Sequence, residues 1–176
     1  QHAQFGMLYT SDTPEGEACR LVKNLALMTH ITTDDEEDPI KKVCYLLGVE
    51  NISLLDSAAL HLNYGVYVNG TLIGTTRFPA KFVSQFRKVR REGKVSEFIS
   101  IYVNQQQTAV HIATDGGRIC RPLIIVENGR SKVTAEHLGR LISNELEFDD
   151  FLKMGLVEYL DCNEENDSLI ALYERD

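Results

Sequence analysis

No stretch of the 176-residue chain approaches the roughly 20 consecutive apolar residues that cross a bilayer. The opening Gln1–Phe5 has neither the basic region nor the apolar core of a secretory signal. A soluble chain with no membrane contact is therefore expected. Disulfide and zinc chemistry are equally poorly supplied. Cys19, Cys44, Cys120 and Cys162 lie far apart, with no Cys-x-x-Cys pair and no histidine at zinc spacing. They read as reduced thiols of a cytosolic or nuclear protein, and no metal is expected on this chain. In such a compartment the sequons at Asn51, Asn69 and Asn166 carry no weight. There is no Gly-x-Ser-x-Gly elbow and no histidine pair at i, i+4. Asp115-Gly116-Gly117-Arg118 lacks the Gly-Lys-Ser/Thr ending of a P-loop and reads as a tight turn. His111 falls in an alternating pattern and reads as a sheet residue rather than a base. The acidic run Asp34–Asp38 lacks the alternation and glycine of a calcium loop and reads as solvated.

Basic residues are also in short supply, 18 against 26 acids, giving a net charge of -8 and a pI near 5.1. Such a chain repels phosphate backbones, which argues against autonomous DNA binding. The charge is segregated: residues 77–94 hold seven bases and one acid, whereas residues 145–176 hold eleven acids and two bases.

What the sequence does contain, 43% hydrophobic residues, suffices for one compact domain or two small ones. Thr13-Pro14-Glu15-Gly16-Glu17 predicts a turn ahead of the apolar run Leu21–Met28, which reads as a buried strand. Asp38-Pro39 opens a helix whose Ile40, Val43, Cys44 and Leu47 share one face before Gly48 ends it. Tyr64–Val68, Asn69-Gly70 and Thr71–Gly74 predict a β-hairpin with a type I′ turn. From Pro79 to Glu92, Phe82, Phe86 and Val89 mark the apolar face of a basic helix. That helix is suited to phosphates, to an acidic partner or simply to solvent. Strands follow over 97–103, 109–113 and 118–126, forming an antiparallel sheet against the helix. Arg118 and Arg121 form either a basic stripe or ion pairs with the acidic C-terminal unit. Thr134 predicts a helix cap with Leu138, Leu141 and Ile142 facing inward, and Phe148, Phe151 and Leu152 predict another short helix. Strands at 156–160 and 169–173 are expected around an acidic loop, 163–167. The fold class is α+β, with antiparallel or mixed sheets, short amphipathic helices and two small modules parting near 127–133. The abrupt start and end suggest a piece of a longer polypeptide.

Longer motifs go further. Gly6-Met7-Leu8, Ser11-Asp12-Thr13-Pro14-Glu15-Gly16-Glu17-Ala18-Cys19 and Leu21-Val22-Lys23-Asn24-Leu25-Ala26-Leu27-Met28 resemble the fork segment of the second-largest subunit of multisubunit RNA polymerases. Val68-Asn69-Gly70 with Gly74, Phe86-Arg87 to Arg90-Arg91-Glu92-Gly93, Thr114-Asp115-Gly116-Gly117-Arg118 with Cys120-Arg121-Pro122, and Gly155–Asp161 follow in the family's order. Thr29–Thr33 and the stretch from Asn163 to Glu174 are most like the eukaryotic RNA polymerase III version. The resemblance implies three parts: the end of the fork, 1–28; an external 1-like α+β module, 29–126; and an incomplete external 2-like module, 127–176. It implies a role in the active-centre cleft and outer wall of a nuclear enzyme that transcribes small RNAs such as tRNA and 5S rRNA. Nucleotidyl transfer would use magnesium held by aspartates of the largest subunit, with zinc and the triphosphate-binding arginines outside this stretch. This chain alone would then bind no cofactor and be inactive. Its partners would be the largest subunit, other polymerase III subunits, template DNA and transcript.

By the same resemblance Asp12, Thr13, Pro14, Glu15 and Gly16 lie near the active centre, with Glu15 in a positioning role and Lys23 and Asn24 as weaker candidates. Arg87, Lys88, Arg90, Arg91, Arg118 and Arg121 are candidate nucleic-acid or subunit contacts. The sequence departs from the family at Arg20, where glycine is usual, and at Tyr9, where cysteine is common. A glycine at position 20 implies positive φ or a close backbone approach, and arginine there implies strain. Two other readings compete: an acidic protein-interaction module whose fork has lost its catalytic setting, and a nucleic-acid-binding module using the helix 79–92.

Overall fold

The computed structural model describes residues 4–54, 63–171 and 173. Two layers of structure organise them, and the confident local signals of the sequence lie at the centre of the larger one. Asn69 and Gly70 take φ of 47° and 80°, the positive pair a type I′ turn requires, and join β4 (Tyr64–Val68) to β5 (Thr71–Thr76). β4 also pairs in parallel with β7 (Ala109–Ala113), and β7 pairs antiparallel with β6 (Ser100–Asn104). The result is a four-stranded mixed sheet in the order β5-β4-β7-β6.

One face of that sheet is covered by α1 (Glu37–Leu46) and α2 (Pro79–Arg91). α1 contributes Ile40 and Cys44 to the core, with Val43 and Leu47 packed at its margin. α2 starts with proline, whose fixed φ suits a first helical turn, and buries Phe82, Val83 and Phe86 against Ile99, Ile101, Val110 and Ile112. Burial raises the Cys44 thiol pKa to about 12, so it behaves as a small apolar residue.

A second, three-stranded sheet is built on β8 (Ile119–Ile124), which pairs with β11 (Val157–Asp161) on one edge and β3 (His30–Ile31) on the other. β1 (Leu8–Tyr9) and β2 (Asn24–Leu25) form a separate ribbon. β9 (Val126–Glu127) and β10 (Arg130–Ser131) form a small hairpin. α3 (Ala135–Ile142), α4 (Phe148–Lys153) and α5 (Cys162–Asn166) complete the chain. A smaller core of Phe151, Leu156 and Val157 sits beneath α4. The protein is thus α+β with antiparallel and mixed sheets and five α-helices among the described residues. Five register pairs of β11 with β8 cross the point near 127–133 where the sequence suggested a parting.

Several local expectations are corrected. Leu21–Met28 is not a buried strand. Among the described residues only Asn24 and Leu25 pair in a ladder, with two residues of β1, and no described layer covers the run: Leu21 is 80% and Leu27 97% exposed. The acidic loop 163–167 is largely the helix α5, because the Asp161 carboxylate accepts the Glu164 N–H and caps it. Leu169–Ala171 form no strand, and part of the expected 169–173 segment lies outside the described residues. In α3, Leu141 packs on the small core, whereas Ile142 is 82% exposed: α4 covers only one side of the apolar arc.

Candidate functional site

The bend begins where the β1–β2 ribbon opens. Tyr9 faces Asn24 in register, and the Asn24 amide donates to the Asp12 carboxylate at 2.6 Å, closing the loop one step further. Thr13 closes it again: its hydroxyl accepts the Arg20 N–H at 2.8 Å and donates to the Val22 carbonyl at 3.2 Å. Above these rungs Pro14, Glu15 and Gly16 are exposed. Glu15 has extended backbone and precedes the 3₁₀ turn Gly16–Ala18, and Gly16 takes φ +84°. The Glu15 carboxylate has no hydrogen-bond or ion-pair partner among the described residues. The structure therefore brings Asp12, Thr13 and Asn24 together as a braced base, presents Glu15 to solvent and leaves Lys23 exposed on the outer leg. Arg20 has φ +65°, the left-handed conformation expected of a glycine position.

The candidate arginines lie elsewhere, and most turn inward. Arg90, 3% exposed, forms a fork with Glu164: Nη1 meets Oε2 at 2.7 Å and Nη2 meets Oε1 at 2.9 Å. Arg87 Nε donates to Glu164 at 3.0 Å, and Arg91 grips Glu158 through Nε at 3.0 Å and Nη2 at 2.8 Å. Arg118 Nη1 meets Asp161 at 3.0 Å, and Arg121 pairs side-on with Glu165 at 2.9 and 2.6 Å. Lys88 alone of this set stays at the surface, 4.0 Å from Glu92. Burial opposes the charge of Arg90, but the Glu164 and Glu158 carboxylates outweigh it and raise its pKa above the ordinary value. Burial likewise opposes the Glu158 charge, and the guanidinium groups of Arg91 and Arg90 override it, holding that pKa below the usual carboxylate range. Hydrogen bonding to Glu165 raises the pKa of Arg121.

The same network seals a sheet edge. Along the outer side of β6, Glu164 accepts the Ile101 N–H and Asp167 the Val103 N–H, while Arg90 and Arg87 donate to the carbonyls of Ile99 and Ile101. Side chains of α2 and of the segment 164–167 thus replace a neighbouring strand. Sequence reasoning did not single out Glu158, Asp161, Glu164, Glu165 or Asp167 as partners. The signal available for them was the matched segregation of bases in 77–94 and acids in 145–176. Among the described residues no group of three or more His, Cys, Asp or Glu side chains is placed to hold a metal ion.

The bend is braced at its base and presents Glu15 outward, while Arg87, Arg90, Arg91, Arg118 and Arg121 are paired with carboxylates of the same chain. The chain matches RNA polymerase Rpb2 domain 3 over residues 1–31, domain 4 over 66–127 and domain 5 over 148–176. It belongs to the family of second-largest subunits of multisubunit RNA polymerases. It is 77% identical over its whole length to the DNA-directed RNA polymerase III subunit RPC2 of Saccharomyces cerevisiae and 61% identical to that of Schizosaccharomyces pombe. Over 98% of its length it is 34% identical to the DNA-directed RNA polymerase subunit Rpo2 of Sulfolobus acidocaldarius. The chain spans 15% of the length of the two fungal relatives and 16% of the archaeal one.

Proposed function

We propose that this chain forms part of the cleft and outer wall of a nuclear DNA-directed RNA polymerase III, and that its bend at Asp12–Gly16 faces the active centre. The supporting observation is the contrast within the bend: Asp12 and Thr13 fix its base by three hydrogen bonds, while Glu15 projects without a partner. A carboxylate held this way is preorganised to accept hydrogen bonds from a mobile element of the largest subunit. Each such bond would favour one position of that element, setting how often the catalytic site closes and so trading rate against accuracy. The exposed apolar side chains Leu21, Val22, Leu27 and Met28 beside the bend supply the contact area for that neighbouring subunit.

On this reading nucleotide addition to small transcripts such as tRNA and 5S rRNA is carried out by magnesium ions held by aspartates of the largest subunit, and zinc belongs to another part of the protein. Other polymerase III subunits, template DNA and the transcript complete the set of partners. Glu15→Ala in the full-length subunit of the assembled polymerase is expected to change elongation rate or misincorporation by about tenfold or more, the worth of one charge-assisted hydrogen bond. Elongation and misincorporation that both stay at wild-type values would end the proposal.

A further inference from the structure

The two legs of the ribbon that carries the bend land on neighbouring residues of β8, the outgoing one on Ile119 and Cys120 and the incoming one on Arg121. The outgoing leg pairs His30 with Cys120 and Ile31 with Ile119, and the Cys120 thiol donates to the His30 carbonyl at 3.3 Å. His30 also stacks on Phe98, with ring centroids 4.3 Å apart. The incoming leg passes Arg121 at Gly6. A Cβ built on Gly6 would strike the Arg121 Nη1 and lie 2.8 Å from its Cζ and 3.2 Å from its Cδ, and Gly6 takes φ +79°. An arginine head ordinarily swings away from such a contact. This one is pinned, because Nε and Nη2 are both committed to Glu165 on α5. The next residue, Met7, is buried, and its carbonyl accepts the Ala26 N–H at 3.0 Å, tying the incoming leg to the outgoing one.

We infer that Arg121, clamped by Glu165 and pressed against Gly6, is a positioning residue that seats the ribbon and thereby fixes where Glu15 stands. The inference rests on the reading of the bend given above for its consequence on transcription, but the seat itself is a separate, measurable property. It makes the acidic C-terminal helix a control point for a bend carried on the N-terminal ribbon. Neither residue touches the reacting groups; both act through the ribbon.

The test uses the assembled polymerase carrying the full-length subunit as wild type, Glu165→Gln, Arg121→Lys, Gly6→Ala or Glu15→Ala. Hydrogen exchange is followed on peptides covering residues 8–25 and 64–76, alongside elongation and misincorporation. Glu165→Gln and Gly6→Ala are expected to speed exchange over 8–25 by at least about fivefold while leaving the 64–76 hairpin unchanged, which a general loss of stability would not do. Arg121→Lys, which keeps the charge but loses the planar fork, should fall between these and wild type. Both seat variants should change elongation or misincorporation in the same direction as Glu15→Ala. Because Gly6→Ala is strained at φ +79° whatever Arg121 does, unchanged exchange over 8–25 in Glu165→Gln overturns the inference, as does faster exchange with normal transcription when Glu15→Ala itself alters transcription. If Glu15→Ala has no effect, the reading of the bend fails, and exchange over 8–25 alone decides whether the seat exists.

Discussion

Arg20 shows how one residue can record a mismatch between side chain and backbone. Its φ of +65° is costly for any residue with a Cβ, by roughly 1–2 kcal/mol, yet its N–H must point at the Thr13 hydroxyl to brace the bend. The bond therefore holds the residue in a conformation its own side chain resists. Arg20→Gly removes the resistance at the expense of added freedom in the unfolded chain, leaving a net local gain of about 0.5–1 kcal/mol. Amide exchange of Arg20, Leu21 and Val22 should slow by roughly two- to fivefold, as that gain dictates. Equal or faster exchange would mean that the left-handed conformation carries no strain here. The family resemblance, by placing a glycine here, implied either positive φ or a close backbone approach, and the structure shows the first.

At the scale of elements, legibility follows how far apart the interacting residues lie. The 64–76 hairpin, α1, α2 and β7 were readable because their signals, a turn pair or a repeating apolar face, span a few neighbours. Leu21–Met28 misled because apolarity signals burial without saying by what, and among the described residues Leu21, Val22, Leu25, Leu27 and Met28 stay exposed. α5 was hidden for the opposite reason: Asn163–Asp167 looks solvated until Arg87, Arg90 and Arg121, more than 40 residues away, are brought to it. The candidate site was legible as a bend, but its brace from Asp12 to Asn24 and its seat on β8 were not. The edge of β6 makes the dependence measurable. Glu164 is fully buried, accepts from both Arg87 and Arg90 and takes up the Ile101 N–H. Glu164→Ala leaves two guanidinium groups and a strand N–H without that partner, and breaking a buried pair from one side costs about 3–5 kcal/mol. Urea unfolding of the chain should show a loss of that size. A loss below about 1 kcal/mol, typical of a surface ion pair, would show that the network contributes no more than a solvated contact.

For the whole molecule, two electrostatic effects respond to acid in opposite directions. Protonating carboxylates relieves the self-repulsion of a chain with net charge -8, which favours the compact state. It also discharges the carboxylates that bind the C-terminal segment 157–167 to α2. The first effect acts between scattered surface charges and is screened beyond about 8 Å at physiological salt. The second acts at 2.8–3.0 Å, between Glu158 and the guanidinium groups of Arg90 and Arg91, and is screened far less. The contact effect should win. Because Glu158 has a lower pKa folded than its ordinary 4.5, its contribution is complete above pH 4.5 and is lost as the pH falls through the folded value. The melting temperature of the chain should therefore hold steady between about pH 7 and 5 and decline below about 4.5. Glu158→Gln should lower it at neutral pH, where the carboxylate is charged in both states, and flatten the decline in acid. The half-exposed Glu37 and the exposed Glu92, lowered chiefly by bonds from Asn69 and Lys94, should contribute little to that slope. A Glu158→Gln chain whose acid dependence matched the wild type would transfer the effect to other carboxylates and remove Glu158 as the pH-sensitive fastening between the acidic and basic halves.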